Sequence, residues 1–401
     1  MKTRVAVFFG GRSPEHDVSV ITGLQALEAL DQDRFSSFPV YVATDGKWFT
    51  GDALRNRANY LPSESTLKTL DSVLLDLWPQ VDGRGRLLPA KPAGVFAKPK
   101  RIEFDVALLA FHGLFGEDGR IQGLFEVANV PYTGMRPLAS SLLMDKAVTK
   151  RVLAGSGIAL LPYSVVERPV SGLLPSVQQI ETSLDGLTFP VIVKPLHLGS
   201  SIGVSRAACM NEVRGALSVI FRLDTHAIVE PFVENLVEYN VAVRRTPSGI
   251  ESSAIERPKA HQELLDFKAK YLSGSPSKDG SKRPGTISQG MLSLTRELNP
   301  DLADDFASTI RTWAESCFSV VYGTGAPRMD FLCNGKTGEL WLNEVNPCPG
   351  SFGYYLWEAR SQPLLFSELL TALVEEAFAA QRCIQLPPDP THQEARLFSR
   401  P

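Results

Sequence analysis

Residues 328–346, RMDFLCNGKTGELWLNEVN, constrain the fold more than any other stretch. Two runs of alternating character flank a turn rich in glycine and asparagine, the pattern of a β-hairpin. Its arms nevertheless carry Asp330, Glu344 and Asn346. Successive side chains of a strand point to opposite faces, so Glu344 and Asn346 share one. A direct turn at 334–338 pairs Asp330 near Leu342 and puts Asp330 on that same face. A one-residue slip would reverse this. Two carboxylates and one amide converging make an all-oxygen set. Mg²⁺ suits such a set, because it takes few protein oxygens and completes its shell with phosphate and water. On this hairpin alone a solvated strand end stays open as the alternative.

The chain of 401 residues is too long for one ordinary core and implies two or three units. RVAVFF, SFPVYVATD and FDVALLAFHG read as strands, alternating with helices through ITGLQALEALD and IQGLFEVAN, with a short strand at VPYTG. Alternating strands and helices imply a mostly parallel α/β sheet. LASSLLMDKAVTKRVLAGSGI reads as one helix ended by glycine. PVIVKP and HAIVEPFV are further strands, EYNVAVRRTPSGIESSAIERP is a hairpin, and LLFSELLTALVEEAFAA is a last amphipathic helix.

Net charge is −3, so the totals call for neither nucleic acid nor an anionic membrane. No apolar run reaches the roughly 18 residues of a spanning helix, and MKTRVAVFFGG is too short for a signal-peptide core. Five scattered cysteines without CxxC spacing argue against a disulfide framework or zinc site and fit a reducing cytoplasm.

Lys194 ends a strand five residues before the loop Gly199-Ser200-Ser201-Ile202-Gly203. Glycines let backbone N–H groups approach phosphate oxygens, and lysine adds a point charge. The loop is not a Walker A motif. Taken alone, an ordinary strand-to-strand turn explains the loop better, as a surface helix lysine explains Lys146. Glu230 is an acceptor suited to an adenine amino group, with backbone groups of Phe232 and Val233 beside it, and Glu238 is suited to ribose hydroxyls.

The segments GGRSPEHDVSV (10–20), HGLFGEDGRIQGLFE (112–126), PYTG (131–134), SSLLMDK (140–146), VIVKPLHLGSSIGV (191–204), DFKAKY (266–271), RMDF (328–331) and NEVNPCPG (343–350) occur in one order. Together they resemble the motif series of D-alanine–D-alanine ligases, a branch of the ATP-grasp carboxylate–amine ligases, across about residues 4–357. The resemblance implies a three-domain ATP-grasp fold with an N-terminal Rossmann-like parallel sheet. Its expected units are 1–135, 136–233 and 234–385, with a tail at 386–401. It implies ATP and two Mg²⁺ ions (or Mn²⁺ in their place), small amino-acid substrates and a homodimer.

The resemblance also assigns roles. Lys146 and Lys194 match lysines that hold ATP phosphates, and Ser200 and Ser201 lie in the phosphate-covering loop. Glu230, Phe232, Val233 and Glu238 match adenosine contacts. Asp330, Glu344 and Asn346 match the metal ligands. Arg328 and the Gly350 N–H match groups that stabilise a tetrahedral intermediate. Glu15 matches the acceptor of the first substrate's ammonium, linked through Ser200 to Tyr271 on a closing loop. His112 matches a histidine beside that substrate, and Lys270 a lysine near the acyl phosphate. Tyr355-Leu356 stands where the family has the Ser-Leu pair that binds the second D-alanine. Asn343, Pro327 and Phe267 also depart from the usual pattern. These departures bear on the acceptor, so another dipeptide or a depsipeptide is the alternative product. A non-catalytic nucleotide-binding protein keeps the ATP site without the reaction. A Rossmann oxidoreductase is suggested only by VAVFFGG, which lacks G-x-G-x-x-G.

Overall fold

The computed structural model describes residues 2–60, 70–80, 82–90, 101–172, 174–184, 186–259 and 296–384. The expected strand RVAVFF becomes β1 (Thr3–Gly10), followed by α1 (His16–Ala29) and β2 (Phe35–Val42). Four short strands follow: β3 (Trp48–Thr50), β4 (Asp71–Leu75), β5 (Gly85–Pro89) and β6 (Ile102–Phe104). β7 (Val106–Leu109) returns beside β1. The sheet order is β6-β5-β4-β3-β2-β1-β7. Only β2-β1-β7 is parallel, and the other four strands extend it antiparallel. The expected parallel core is therefore three strands wide. Parallel neighbours need long crossovers, which α1 supplies, whereas tight turns can give only antiparallel pairs. VPYTG adds a single bridge, Ala107 to Tyr132, rather than a strand.

After α2 (Arg120–Val127), the stretch read as one helix is two, α3 (Pro137–Met144) and α4 (Lys146–Leu153). The break falls at Asp145, whose extended backbone and side chain cap α4 by accepting from the Val148 N–H at 2.8 Å. An aspartate competes with its own helix for backbone donors, which favours a cap over a helix interior. Lys146 thereby becomes the first residue of a new helix.

The middle sheet holds β8 (Ser164–Glu167), β9 (Val191–Pro195), β10 (Ser205–Ala207) and β11 (His226–Pro231), ordered β10-β9-β11-β8. Helices α5 (Val177–Ser183) and α6 (Met210–Ile220) cover it, burying Ile180, Val213, Leu217 and Ile220 against Val191 and Val229. The last sheet is antiparallel. It contains β12 (Leu236–Thr246), β13 (Gly249–Pro258), β14 (Arg296–Leu298), β15 (Arg328–Asn334) and β16 (Leu340–Asn346), ordered β14-β13-β12-β15-β16. Helix α7 (Asp304–Val320) packs Ile310, Ala314 and Phe318 on its apolar face, where Met135, Leu143 and Leu153 join them.

A short helix α8 (Tyr354–Glu358) and the long α9 (Phe366–Ile384) end the described chain. The expected amphipathic face of α9 buries Leu369, Leu370, Leu373 and Val374, and it does so in the cluster of Val5, Val7 and Phe9 from the first sheet. The last described helix thus docks on the first sheet. Among the described residues no helix is long and apolar enough to cross a membrane.

Helix α1 approaches β1 closely at Gly23. A Cβ there would lie 2.4 Å from two Phe9 ring carbons, and Phe9 is fully buried. Gly23→Ala is expected to lower stability by about 1–3 kcal/mol through overpacking, despite alanine's better helix propensity. Urea unfolding monitored by circular dichroism measures it, and an unchanged or raised midpoint would contradict the packing described.

Candidate active site

The hairpin register differs from the direct pairing expected from its turn. Asp330 pairs with Glu344 and Arg328 with Asn346, while Phe331 pairs with Leu342. Asn343 is an extra residue, a β-bulge. Leu342 consequently stays in the core, and Glu344 does not share its face. A bulge re-aims one side chain without moving its neighbours, which simple alternation cannot reveal. Asp330, Glu344 and Asn346 still gather on one side, as expected from the sequence. With the Asn346 amide turned so that its nitrogen faces the surrounding acceptors, it donates at 3.2 Å to Glu117 Oε1 and to the Cys348 carbonyl, which leaves its oxygen as the ligand atom for a cation. The donor set is all-oxygen with two carboxylates, which fits a hard divalent ion.

Three cations surround this ribbon. Arg328 donates from Nε and Nη2 to the two Asp330 oxygens, each at 2.6 Å. Burial opposes the guanidinium charge, but Asp330 holds its pKa well above the usual value. Lys146 Nζ lies 3.6 Å from Glu344 and donates to the Leu198 carbonyl at 2.7 Å. Burial pulls the Lys146 pKa down. Lys194 donates to Asn343 Oδ1 at 2.9 Å, so the bulge residue anchors a phosphate-type lysine.

Glu230 has both carboxylate oxygens engaged, Oε1 by Lys150 and Oε2 by Lys194, each at 2.7 Å. Burial opposes its charge, yet the two lysines keep its pKa below the usual range. The carboxylate expected at adenine is therefore the hub of a buried ion triad. Lys150 was not singled out in the sequence. It lies one helical turn beyond Lys146 on α4, and that i,i+4 spacing was the available signal. The Phe232 N–H donates to Pro190 O at 3.0 Å, Val233 is buried, and Glu238 is exposed on β12 opposite Leu332.

The first unit contributes the other wall. Ser200 donates to Glu15, which is buried. Ser200 and Ser201 both sit in the left-handed region, at φ 54° and 58°. Glu117, inside the motif HGLFGEDG but given no role, accepts from Gly113 N at 2.5 Å and Cys348 N at 2.8 Å. Burial and Glu15 push its pKa up to about 8. His112 is fully buried and exchanges a 2.8 Å hydrogen bond with Thr22 Oγ1, which also accepts from the Ser351 N–H at 3.1 Å. Ser351 and Phe352, just after Gly350, take φ of 53° and 57°. Two consecutive non-glycine residues there are strained and need such support.

Tyr355 and Leu356 divide. Leu356 is fully buried in the apolar core. Tyr355 donates to Glu256 Oε2 at 3.1 Å, and Arg296 stacks 4.3 Å from its ring centre. Glu256, also unforeseen, pairs across the sheet with Asn240, and Asn240 with Asp330. A polar row thus runs from Tyr355 to the metal-type carboxylates. Tyr271 and Lys270 lie outside the described residues.

Two family models match the chain, D-ala D-ala ligase N-terminus over residues 4–135 and D-ala D-ala ligase C-terminus over residues 152–375. A D-alanine–D-alanine ligase of Thermosipho africanus is 31% identical over 378 residues, covering 94% of this chain and 93% of that protein. The D-alanine–D-alanine ligase structure from Coxiella burnetii shares the fold, with a TM-score of 0.74 at 22% identity and 95% of each chain covered. The D-Ala:D-Ser ligase structure from Enterococcus faecalis gives 0.73 at 22% identity, covering 94% of this chain and all of that one.

Two outcomes follow from the buried charges. Lys150→Met leaves Glu230 with one partner and should cost about 3–5 kcal/mol of unfolding free energy; a loss below about 1 kcal/mol in denaturant titration would contradict a buried triad. Burial lowers the His112 pKa from 6.5 to about 4. The neutral ring therefore contributes stability that is complete above pH 6.5 and fades as pH falls through 4. His112→Asn should flatten the stability-versus-pH curve in that window by up to about 1.4 kcal/mol per pH unit. An identical slope in both proteins would contradict the assignment.

Proposed function

The chain belongs to the D-alanine–D-alanine ligase family, and from that premise we propose that it joins two D-alanine molecules, releasing ADP and phosphate. It is an ATP-dependent carboxylate–amine ligase that works with a divalent metal. The observation that carries the reading is the bulged pairing of Asp330 with Glu344 between Arg328 and Lys146. We further propose two Mg²⁺ ions held by Asp330, Glu344 and Asn346, for which Mn²⁺ can substitute. The remaining proposals are cytoplasmic residence, a homodimer, and division into units near residues 135 and 233 with a tail from 386.

A carboxylate is a poor electrophile, so its oxygen first attacks the γ-phosphorus of ATP and ADP departs. The amine of the second amino acid then attacks the acyl carbon, its proton is released, and the carbon–oxygen bond to phosphate breaks. Asp330, Glu344 and Asn346 would hold the divalent cations, which would supply charge neutralisation at the transferring group. Lys146 and Lys194 hold the nucleotide phosphates, and Glu230 with Lys150 fixes where Lys194 points. The serine loop at 199–203 covers the phosphates. Glu230, Phe232, Val233 and Glu238 border the adenosine. Glu15, aligned by Ser200, receives the ammonium of the first substrate, with neutral His112 beside it. Arg328 and the Gly350 N–H face the oxyanion of the tetrahedral intermediate, where preorganised donors act most strongly. By the resemblance, Tyr271 is assigned the link through Ser200 to Glu15 and Lys270 a place near the acyl phosphate, an intermediate that water would hydrolyse. Tyr355, braced by Glu256 and Arg296 over Leu356, shapes the pocket for the acceptor carboxylate.

Phosphate release across a panel of D- and L-amino acids and hydroxy acids tests the substrate. D-alanine alone should give ATP- and Mg²⁺-dependent turnover with one dipeptide per phosphate. Turnover of another pair with D-alanine inert would overturn the proposed acceptor, and nucleotide binding without turnover would overturn catalysis.

A further inference from the structure

We propose that His197, Asp224 and His226 form a second metal site, separate from the carboxylate ribbon, for one imidazole-preferring divalent cation such as Zn²⁺. One ligand atom from each residue lies within 4.8 Å of the others. The three residues come from adjoining parts of the middle sheet. His197 follows the end of β9, and Asp224 and His226 bracket the start of β11. Two imidazoles and one carboxylate select zinc and its neighbours over Mg²⁺, which prefers oxygen alone. The proposal is independent of the acceptor chemistry.

The site is preorganised. Asp224 Oδ2 accepts from His197 N at 2.7 Å, and Oδ1 accepts from Thr225 N at 2.6 Å and His226 N at 3.3 Å. Its carboxylate is therefore fixed by three backbone donors. His197 Nδ1 faces Asp224 Oδ1 at 2.8 Å, and the other ring nitrogen faces Asp145 Oδ2 at 3.4 Å. Two ligands on a tetrahedral zinc with bonds of about 2.0 Å stand roughly 3.3 Å apart. The cluster reaches that geometry by opening the Asp224 contact slightly and drawing His226 inward. The ion takes the place of the proton shared by His197 Nδ1 and Asp224, and that proton goes to solvent. Asp145 then receives the His197 Nε2–H, the carboxylate partner that orients metal-bound imidazoles.

The placement gives the site a consequence. Lys146 Nζ donates to the carbonyls of Leu196 and Leu198, the two residues flanking His197. Asp145 caps the helix that Lys146 begins. An ion that moves His197 off its 2.8 Å contact with Asp224 shifts both supports of a phosphate-holding lysine, so filling the site weakens ATP binding.

Competition with a chromogenic chelator, on the full chain in saturating Mg²⁺ without nucleotide, tests the site with Zn²⁺ itself. The wild type should bind one equivalent, and His197→Gln and His226→Gln should each bind it about tenfold or more weakly. Zinc should also raise the KM for ATP in the wild type and leave it unchanged in His226→Gln. Absence of zinc binding by the wild type, or wild-type affinity in both variants, would overturn the site. Stoichiometric zinc with an unaltered KM would overturn its link to Lys146.

Discussion

Asp330 and Glu344 stand directly opposite each other on neighbouring strands, where like charges repel. The rest of the site answers that repulsion. Arg328 grips Asp330 with two donors, and Lys146 approaches Glu344. Neither cation lies on β16. One comes from two residues along β15, and the other crosses from the start of α4. A carboxylate pair held by cations from different elements fixes those elements relative to one another. Among the described residues the apolar clusters of the middle and last sheets are separate, and a direct polar link between those sheets is Lys194 of β9 donating to Asn343.

The second joint uses the same physics with the signs reversed. Glu230 is a single buried carboxylate between two lysines, and Lys194 passes from it to Asn343 in the bulge. Burying three charges costs several kcal/mol per ion unless each is paired. Here each has a partner, and the triad sets one phosphate-type lysine in a defined place. The first unit closes the ring through Glu117, which accepts from the backbone at Gly113 and Cys348 and lies beside Asn346. The strained corner at Ser351 and Phe352 is pinned by Thr22 and Gln25 of α1. A path of polar contacts therefore runs from the first helix to the metal-type ribbon.

The sequence revealed the ribbon because Asp330, Glu344 and Asn346 interrupt apolar strands, and such interruptions seldom arise for packing alone. It could not reveal the bulge. Alternation assigns Glu344 the face of Leu342, and only the register shows that Asn343 is the additional residue. Lys150 escaped notice because a helical lysine is ordinarily a surface residue, and Glu230, its partner, is about eighty positions away. Glu256 and Asn240 were hidden similarly, since each looks unremarkable until β12 brings them into one row with Asp330. The amphipathic pattern of α9 established that it buries a face, but not that the face meets β1. Local patterns specify elements, whereas partners distant in the chain emerge only from topology.

On this reading Asp330, Glu344 and Asn346 jointly hold the divalent cation against the nucleotide. Anomalous scattering at the manganese edge, from crystals grown with Mn²⁺ and a non-hydrolysable ATP analogue, tests it most directly. Peaks are expected within about 2.0–2.3 Å of oxygens from all three side chains and of the nucleotide phosphates. Manganese bound to the nucleotide but out of reach of these side chains would contradict it.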